Sequence, residues 1–599
     1  MRLQVAGRVL DMDARPGGWW QLTTDAAPES DYAFLLDDSD EPLPDPRSRR
    51  QPHGVHGTSR LYDDSAYEWA DGQWAGRAIT EAVVYEMHVG TFTEGATLDS
   101  AVERLDHLVG LGVTHVELLP VNAVNGVWNW GYDGVGWYAV HEPYGGPDAL
   151  KRFVDACHGR GLAVVLDVVY NHLGPSGNYL PRFGPYLKSG QSTWGELVNL
   201  ESPPVRRFIV DNALMWLREY HLDGLRLDAV HALVDSSTPH VLAELSAKVD
   251  ALSGELGRPL SLIAESDLND PVMITPCAAG GYGMDAQWDD DVHHALHALL
   301  TGERQGYYGD FGSPAVLAKV WTSAFLHDGG YSSFRGRRHG RPVDRVRTPG
   351  YRFVACLQNH DQVGNRVAGD RLPEITSPGL LRVGAVLLLT SPFTPMLWMG
   401  EEWAASTRWP FFTSHPEPEL ARATGPGRLA EFEGYGWDAA RMIDPQDPKA
   451  YRDAVLDWAE LDAPGHHEML DVYRRLLSLR ASEPDLRDPR LDRVDVEYDE
   501  AARWVVVHRG SLRVAANLAA QPQWVPAPAA SVLFGTDASQ IAANGIVLAP
   551  ESAVVVRASQ VDQHDAAGHE AGRDDAPAAE PLVEDDRPDD RADDDARLA

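Results

Sequence analysis

The feature that most constrains the fold is a repeated alternation of short apolar strands with helical segments through the middle of the chain. The strand-like segments are residues 82–89, 113–119, 162–169, 224–230, 259–264, 353–357 and 395–399. Strands that are apolar along almost their whole length are typical of parallel sheets covered on both faces. A doubly wound sheet and a barrel both satisfy this pattern. About eight strand–helix units over roughly 400 residues favour an α/β fold of the (β/α)8 TIM-barrel type with loop insertions.

The segments on either side of this region have a different character. Residues 1–75 and 488–558 contain short β-like runs separated by turn residues, which predicts an N-terminal and a C-terminal β-sandwich domain around a catalytic barrel at 76–487. Residues 559–599 hold 14 acidic and 4 basic residues and almost no large apolar side chain. Such a composition is typical of a disordered acidic tail.

Charge and cysteine content exclude several classes of protein. The formal net charge is −37, which argues against nucleic acid and anionic membranes as partners because phosphate binding needs a basic surface. Three cysteines are too few and too scattered for a disulfide framework or a zinc cluster.

The most apolar stretch, 383–399, is interrupted by Gly384, Pro392 and Pro395, and no signal peptide is visible. We therefore expect a cytoplasmic protein without a membrane span.

Ionisable side chains cluster where four of the predicted strands end, within residues 167–172, 226–231, 265–267 and 359–361. In (β/α)8 barrels the chemistry lies at this carboxyl-terminal face. A single Asp or His at a strand end is usually a helix cap or a satisfied hydrogen-bonding group. Four strands that end alike around one ring indicate an active site instead.

Three of these side chains are carboxyls that would repel one another if they converged. Asp228, Glu265 and Asp361 would then raise the pKa of at least one member, giving the protonated and ionised pair that glycoside hydrolysis requires. Arg226 lies two residues before Asp228, on the same face of the strand, and is placed to hold it ionised. Metal binding also uses Asp, Glu and His. The sequence contains no HExxH motif or close ligand cluster, so we expect no metal and no cofactor.

Four segments, DVVYNH (167–172), GLRLDAVH (224–231), AES (264–266) and QNHDQ (358–362), resemble the four signature segments of the α-amylase family of glycoside hydrolases. Four matches in the family's order are far more specific than any one of them. The resemblance implies retaining hydrolysis. Asp228 would attack the anomeric carbon, Glu265 would act as acid and then base, and Asp361 would hold sugar hydroxyls in the distorted ring.

The resemblance also implies a set of substrate-binding residues. His172 and His360 would hydrogen-bond the sugar on the cleaved side, Tyr132 would stack on its apolar face, and Asp167 would support the site. On the leaving-group side, the candidates include Trp194 and the insertion at 329–335. For Trp194 and Phe334 the alternative that they only pack loops stays open. The full substrate-binding set is Tyr132, Asp133, His172, Trp194, Arg226, His231, Arg335, Asn359 and His360.

Three further segments, NWGYDGV (129–135), MGEEWAAST (399–407) and YGW (435–437), resemble one subfamily of α-amylase relatives. Its members cleave the α-1,4 linkage next to the terminal trehalosyl unit of malto-oligosyltrehalose, a substrate made by malto-oligosyltrehalose synthase. The resemblance thus implies an enzyme of trehalose biosynthesis. In that subfamily the N-terminal domain begins with a strand containing Val-Trp-Ala-Pro, so we expect this domain to lack its first strand.

Two alternatives remain. A 1,4-α-glucan branching enzyme would use the same intermediate and transfer it to a sugar hydroxyl. Branching enzymes typically have Glu-Glu and Ser-His-Asp where this chain has Ala264-Glu265 and Asn359-His360-Asp361. A non-catalytic amylase-like scaffold is disfavoured because all three carboxyls are present.

Overall fold

The computed structural model describes residues 1–192, 195–434, 439–542 and 544–559. The N-terminal β-domain contains β1 (Arg2–Val5), β2 (Arg8–Asp11), β3 (Asp13–Ala14), β4 (Trp20–Gln21), β5 (Asp31–Leu35) and β6 (Ser59–Arg60). An antiparallel sheet has the order β2-β1-β5-β6, and β3 pairs with β4 in a separate ribbon. Alternate side chains such as Ala33 and Leu35 are buried, as expected for a sheet with one covered face. The absence of a first strand stays a prediction.

The central region contains fourteen described strands, of which eight close a barrel. In chain order they are β7 (Val84–Met87), β8 (His115–Leu118), β9 (Asn122–Ala123), β10 (Gly136–Val140), β11 (Ala163–Val168), β12 (Leu187–Ser192), β13 (Gly195–Val198), β14 (Gly224–Leu227), β15 (Ser261–Ala264), β16 (Ala286–Trp288), β17 (Tyr331–Ser332), β18 (Arg337–Arg338), β19 (Phe353–Cys356) and β20 (Thr394–Trp398). The barrel has the order β11-β14-β15-β16-β19-β20-β7-β8.

All neighbouring barrel strands are parallel, and every residue of the eight strands is buried. The prediction of a (β/α)8 barrel is confirmed. Seven of its strands lie at the predicted places. The remaining strand, β16, was not predicted, since it has only three residues and a polar Gln287 in its middle.

Helices lie in the segments that connect the barrel strands and in the segment that follows the last of them. They are α1 (Val89–Phe92), α2 (Leu98–Val102), α3 (Leu105–Leu111), α4 (Gly146–His158), α5 (Leu180–Phe183), α6 (Pro203–Glu219), α7 (Val241–Leu256), α8 (Asp290–Thr301), α9 (Pro314–Ser323), α10 (His360–Gly364), α11 (Leu372–Ile375), α12 (Pro378–Thr390), α13 (Pro418–Gly434), α14 (Pro448–Arg452), α15 (Pro464–Ser482) and α16 (Pro484–Arg487). Within the described ranges, none is both long and apolar enough to cross a bilayer.

The C-terminal domain consists of two antiparallel sheets. Its strands are β21 (Val494–Asp499), β22 (Trp504–Arg509), β23 (Leu512–Asn517), β24 (Gln523–Val525), β25 (Ala529–Gly535), β26 (Ser539–Ala542), β27 (Gly545–Leu548) and β28 (Ser552–Ala558). The five-stranded sheet β21-β22-β23-β28-β25 and the three-stranded sheet β24-β27-β26 enclose apolar side chains that include Val506, Val525, Ile546 and Val554. This is the predicted sandwich. Of the predicted disordered tail, 559–599, all residues from 560 onward lie outside the described residues. The exact domain boundaries stay predictions.

Candidate active site

The guanidinium of Arg226 lies at the carboxyl-terminal rim of the barrel and contacts three carboxyls. Arg226 on β14 is fully buried and approaches Asp228 Oδ1 at 2.9 Å, Asp167 Oδ2 at 2.8 Å and Glu265 Oε2 at 3.3 Å. The three acids reach it because β11, β14 and β15 are adjacent in the barrel and all end at the same rim. The structure therefore brings together Asp228, Glu265 and their predicted partner Arg226.

Asp228 follows β14 directly and accepts a hydrogen bond at each carboxylate oxygen. Arg226 donates to Oδ1, and Asn171 Nδ2 donates to Oδ2 at 2.8 Å. Asn171 also donates to the backbone carbonyl of Asp228 at 2.9 Å. Charge-assisted bonds of this kind fix the carboxylate in orientation as well as in position.

Glu265 follows β15 and lies in a different environment. Burial raises the pKa of its carboxyl, and the charges of Asp228 and Asp361 raise it further while Arg226 opposes the rise. Its Oε2 accepts a hydrogen bond from the backbone N–H of Ala229 at 2.5 Å. Ala229 has a φ of 41°, in the left-handed region that alanine rarely adopts. The chain turns sharply just after Asp228, and the raised pKa of Glu265 suits this carboxyl to donate a proton.

Asp361 lies in the first turn of α10, beside a histidine whose charge is set by its neighbours. The Nε2 atom of His360 is 3.5 Å from Asp361 Oδ2, and its Nδ1 atom is 2.5 Å from Glu86 Oε1. Burial alone would lower the pKa of His360, but the carboxylates of Asp361 and Glu86 outweigh it and raise the pKa to about 9. A protonated imidazole therefore lies between these two acids at neutral pH.

Tyr132 connects His360 to Asp167 through its hydroxyl. Its hydroxyl donates to Asp167 Oδ2 at 2.6 Å and lies 2.8 Å from His360 Nε2, and its ring stacks on that of His360. Burial raises the pKa of Asp167 to about 7, although the charge of Arg226 opposes the rise. Asp167 therefore accepts hydrogen bonds from both Arg226 and Tyr132 through its Oδ2 atom.

The other residues predicted on the cleaved side have structural contacts of their own. His172 Nε2 lies 3.0 Å from the carbonyl oxygen of Tyr132, and Asn129 Nδ2 donates to Asp133 Oδ2 at 2.6 Å. Asn359 caps α10, since its side-chain oxygen accepts from the backbone N–H of Gln362 at 2.8 Å. Asn359 therefore holds the helix that carries Asp361.

Asp267 contacts two of the residues predicted to bind substrate, Arg335 and His231. Arg335 Nη2 lies 2.8 Å from Asp267 Oδ2, and His231 Nδ1 lies 3.7 Å from Asp267 Oδ1. Arg335 and Asp267 line a pocket that also includes Asp290, His294, Tyr307 and Phe334. Trp194 and the 435–437 segment lie outside the described residues.

Two contacts at the site were not predicted from the sequence. Glu86 on β7 bonds His360, and the Arg226 guanidinium lies over the ring of Trp288 at 4.1 Å from its centroid. The signal for Glu86 was an acid inside an otherwise apolar strand, which is rare without a partner. Across the described ranges, no group of three or more His, Cys, Asp or Glu side chains is arranged to hold a metal ion.

Comparison with known proteins shows the general class of enzyme to which the chain is similar. The α-amylase catalytic domain matches residues 87–183, and a domain of unknown function, DUF3459, matches residues 489–555. A crystal structure described as a putative α-amylase from Salmonella typhimurium superimposes with a TM-score of 0.85 at 36% identity, covering 93% of this chain and 95% of that one. Fold and site together define a glycoside hydrolase of the α-amylase class.

The full-length relatives are more specific. Malto-oligosyltrehalose trehalohydrolase from Arthrobacter ramosus is 56% identical over 90% of this chain and 94% of its own. The enzyme of that name from Rhizobium sp. strain M-11 is 53% identical over 93% and 95%. The chain belongs to the malto-oligosyltrehalose trehalohydrolase family.

The alternative of a branching enzyme is disfavoured by the same comparison. A 1,4-alpha-glucan branching enzyme from Corynebacterium efficiens is 31% identical and matches only 40% of this chain and 39% of its own.

Proposed function

We propose that Asp228, Glu265 and Asp361 carry out retaining hydrolysis of the α-1,4 linkage next to the terminal trehalosyl unit of malto-oligosyltrehalose. The observation that carries this proposal is the contact of one buried guanidinium, that of Arg226, with both Asp228 and Glu265. Two carboxyls that touch one guanidinium are close neighbours, as retaining enzymes need, because no water has to fit between the nucleophile and the sugar.

In the first step, an oxygen of Asp228 attacks the anomeric carbon and forms a β-glycosyl ester. The bond to the glycosidic oxygen breaks, and Glu265 gives its proton to that oxygen so that trehalose leaves as a neutral alcohol. The raised pKa of Glu265 favours its protonated form. The hydrogen bonds from Asn171 and Arg226 to Asp228 orient the carboxylate that attacks.

In the second step, a water molecule takes the place of trehalose. Glu265, now ionised, removes a proton from this water as its oxygen attacks the anomeric carbon, and the ester bond to Asp228 breaks. The released glucan has the α configuration, and Glu265 is protonated again. Asp361 binds hydroxyls of the sugar ring and favours its distorted, oxocarbenium-like shape in both steps.

The pocket lined by Asp267, two residues after Glu265 in the chain, is proposed to take the trehalosyl unit. It presents an arginine, a carboxylate and aromatic rings, namely Arg335, Asp267, Tyr307 and Phe334. Aromatic rings pack on the apolar faces of sugars, while guanidinium and carboxylate groups bind hydroxyls. A neutral substrate needs no electrostatic steering, which fits an acidic chain.

The proposed setting is the cytoplasm, downstream of a malto-oligosyltrehalose synthase that makes the substrate. The thiols of Cys157 and Cys356 are free and buried, which fits a reducing compartment.

Product analysis on two substrates of equal length tests the proposed function. The protein is incubated separately with maltopentaosyl-trehalose and with maltoheptaose, and the products are separated by chromatography. We expect free trehalose from the first and little attack on the second. Branched products, or equal cleavage of both substrates, would contradict the proposal.

A further inference from the structure

Asp361 is the most solvent-accessible of the three proposed catalytic carboxyls. Its side chain is 36% exposed, against 13% for Asp228 and 20% for Glu265. The other two acids contact Arg226 directly. Asp361 has a longer contact, 3.5 Å to His360 Nε2, on one oxygen. Its orientation therefore depends on what holds the other oxygen.

That oxygen is held by the amide of Asn365, the residue directly after the end of α10. Asn365 Nδ2 donates to Asp361 Oδ1 at 3.2 Å, and the backbone N–H of Asn365 donates to the carbonyl of Asp361 at 2.9 Å. Residues four apart lie on the same helix face. Asp361 on α10 and its donor at the C-terminal cap of the same helix thus lie on one face.

An arginine on a second helix, α13, binds the oxygen of the Asn365 amide. Arg428 on α13 donates through Nη2 to Asn365 Oδ1 at 2.7 Å and to the carbonyl of Gly364 at 3.2 Å. A guanidinium has donors only and an ionised carboxylate has acceptors only. Asn365 between them has one possible orientation, with its NH₂ toward Asp361 and its oxygen toward Arg428.

Aromatic rings hold Arg428 and α10 in place. The Arg428 guanidinium lies 5.3 Å from the ring centroid of Phe411 and 4.7 Å from that of Phe432. Gly364 lies so close to Trp130 that a Cβ atom there would be 2.1 Å from the indole. The last turn of α10 therefore packs tightly against Trp130, and the chain from Arg428 to Asp361 has little freedom to shift.

We infer that Asn365, held by Arg428, is a positioning residue that orients Asp361 for the distorted sugar ring. This inference rests on the proposed role of Asp361. It extends the site to α13, a helix inserted between β20 and α15 and outside the repeating strand–helix units of the barrel. Because Asp361 acts on the distorted ring rather than on the bound ground state, loss of Asn365 lowers kcat more than it raises KM.

The test is a double-mutant cycle with Asp361→Asn and Asn365→Ala, measured as kcat and KM on maltopentaosyl-trehalose. We expect Asn365→Ala to lower kcat about 10- to 100-fold, the range for a lost hydrogen bond to a charged group, with KM changed less than threefold. In the Asp361→Asn background the same substitution is expected to have almost no effect. A purely structural role predicts the same fold-loss in both backgrounds.

Arg428→Ala provides a second variant on a different helix. We expect the same kcat-selective loss, smaller in size, and no further loss when it is combined with Asn365→Ala. The matched control is Arg422→Ala, which removes an exposed arginine from the same helix and is expected to leave kcat unchanged.

The outcomes separate two kinds of failure. If Asp361→Asn keeps wild-type turnover, the proposed role of Asp361 is wrong. If Asp361→Asn is impaired but Asn365→Ala and Arg428→Ala turn over like wild type, or lose equally in both backgrounds, the inference about Asn365 is overturned while the proposed function stands. Thermal melting of each variant identifies any loss that comes from unfolding.

Discussion

Glu86 accepts two hydrogen bonds from His360, one from the ring Nδ1 at 2.5 Å and one from the backbone N–H at 3.0 Å. The two residues are 274 positions apart in the chain, and both are almost fully buried. The pair joins β7 to the helix that carries Asp361. It fixes the position of that helix and keeps a positive charge next to Asp361.

Glu86→Gln removes this charge pairing while keeping the side-chain shape. The pKa of His360 is about 9 in the folded protein and about 6.5 in an unfolded chain, so its protonation stabilises the fold below pH 6.5 and this contribution is lost as the pH rises toward 9. We expect Glu86→Gln to be destabilised by about 2 kcal/mol at pH 6 and to lose less stability than wild type between pH 6.5 and 9.

Urea unfolding at pH 6, 7.5 and 9 measures this effect. Glu103→Gln, an exposed site on the connection between α2 and α3, is the control and is expected to follow the wild-type curve. Parallel curves for wild type and Glu86→Gln would show that the pair does not set the charge of His360.

Glu265→Gln separates proton donation from nucleophilic attack. We expect its kcat on malto-oligosyltrehalose to fall by about 10² to 10⁴, the usual contribution of general acid–base catalysis. A maltosyl fluoride needs no proton on its leaving group, so Glu265→Gln is expected to form the ester on Asp228 from this donor at a near wild-type rate. Mass spectrometry of the quenched protein detects the adduct. Equal loss with both substrates would refute the acid role, and Asp228→Asn should form no adduct from either.

The pH profile follows from the raised pKa of Glu265. The free enzyme needs this group protonated, so kcat/KM is expected to fall as the pH rises through a pKa above the usual value for glutamate. Because Asp228 and Asp361 contribute to the rise, Asp361→Asn is expected to move this basic limb to lower pH. Initial rates from pH 4 to 10 in both proteins check the shift. A limb that stays in place would mean that Asp361 does not act on the charge of Glu265.

Arg335 is expected to contribute to recognition of the trehalosyl end. Arg335→Ala removes its contact with Asp267 and one wall of the pocket, and we expect KM for maltopentaosyl-trehalose to rise about tenfold while slow cleavage of maltoheptaose is unchanged. Arg337→Ala, at an exposed position two residues after Arg335, is the control. A proportional loss on both substrates would assign Arg335 to loop packing.

The sequence predicted the barrel because its strands are buried on both faces and are therefore apolar enough to recognise. β16 was missed because three residues with a central glutamine carry too little pattern. The strand β20 was predicted at 395–399, but the helix α12 was visible only as part of the apolar stretch 383–399, since a fully buried helix carries no polar periodicity.

The predicted site residues came from strand ends and motifs, and among them Asp228 and Glu265 contact Arg226 directly. What the sequence could not show is pairing across the barrel. Glu86 meets His360 only because closure of the barrel places β7 two strands from β19, which is followed by the helix that carries His360. Asn365 meets Arg428 only because an inserted helix returns to the rim. Such contacts join residues that are far apart in the chain, and they leave no periodic pattern in the sequence.

The most direct test of the central claim is a proton NMR time course of maltopentaosyl-trehalose digestion. The account predicts that free trehalose and the α anomer of maltopentaose appear together in the first spectra, with the β anomer growing later by mutarotation. Initial release of β-maltopentaose would contradict a covalent intermediate on Asp228, and glucose or maltose without trehalose would contradict the proposed cleavage site.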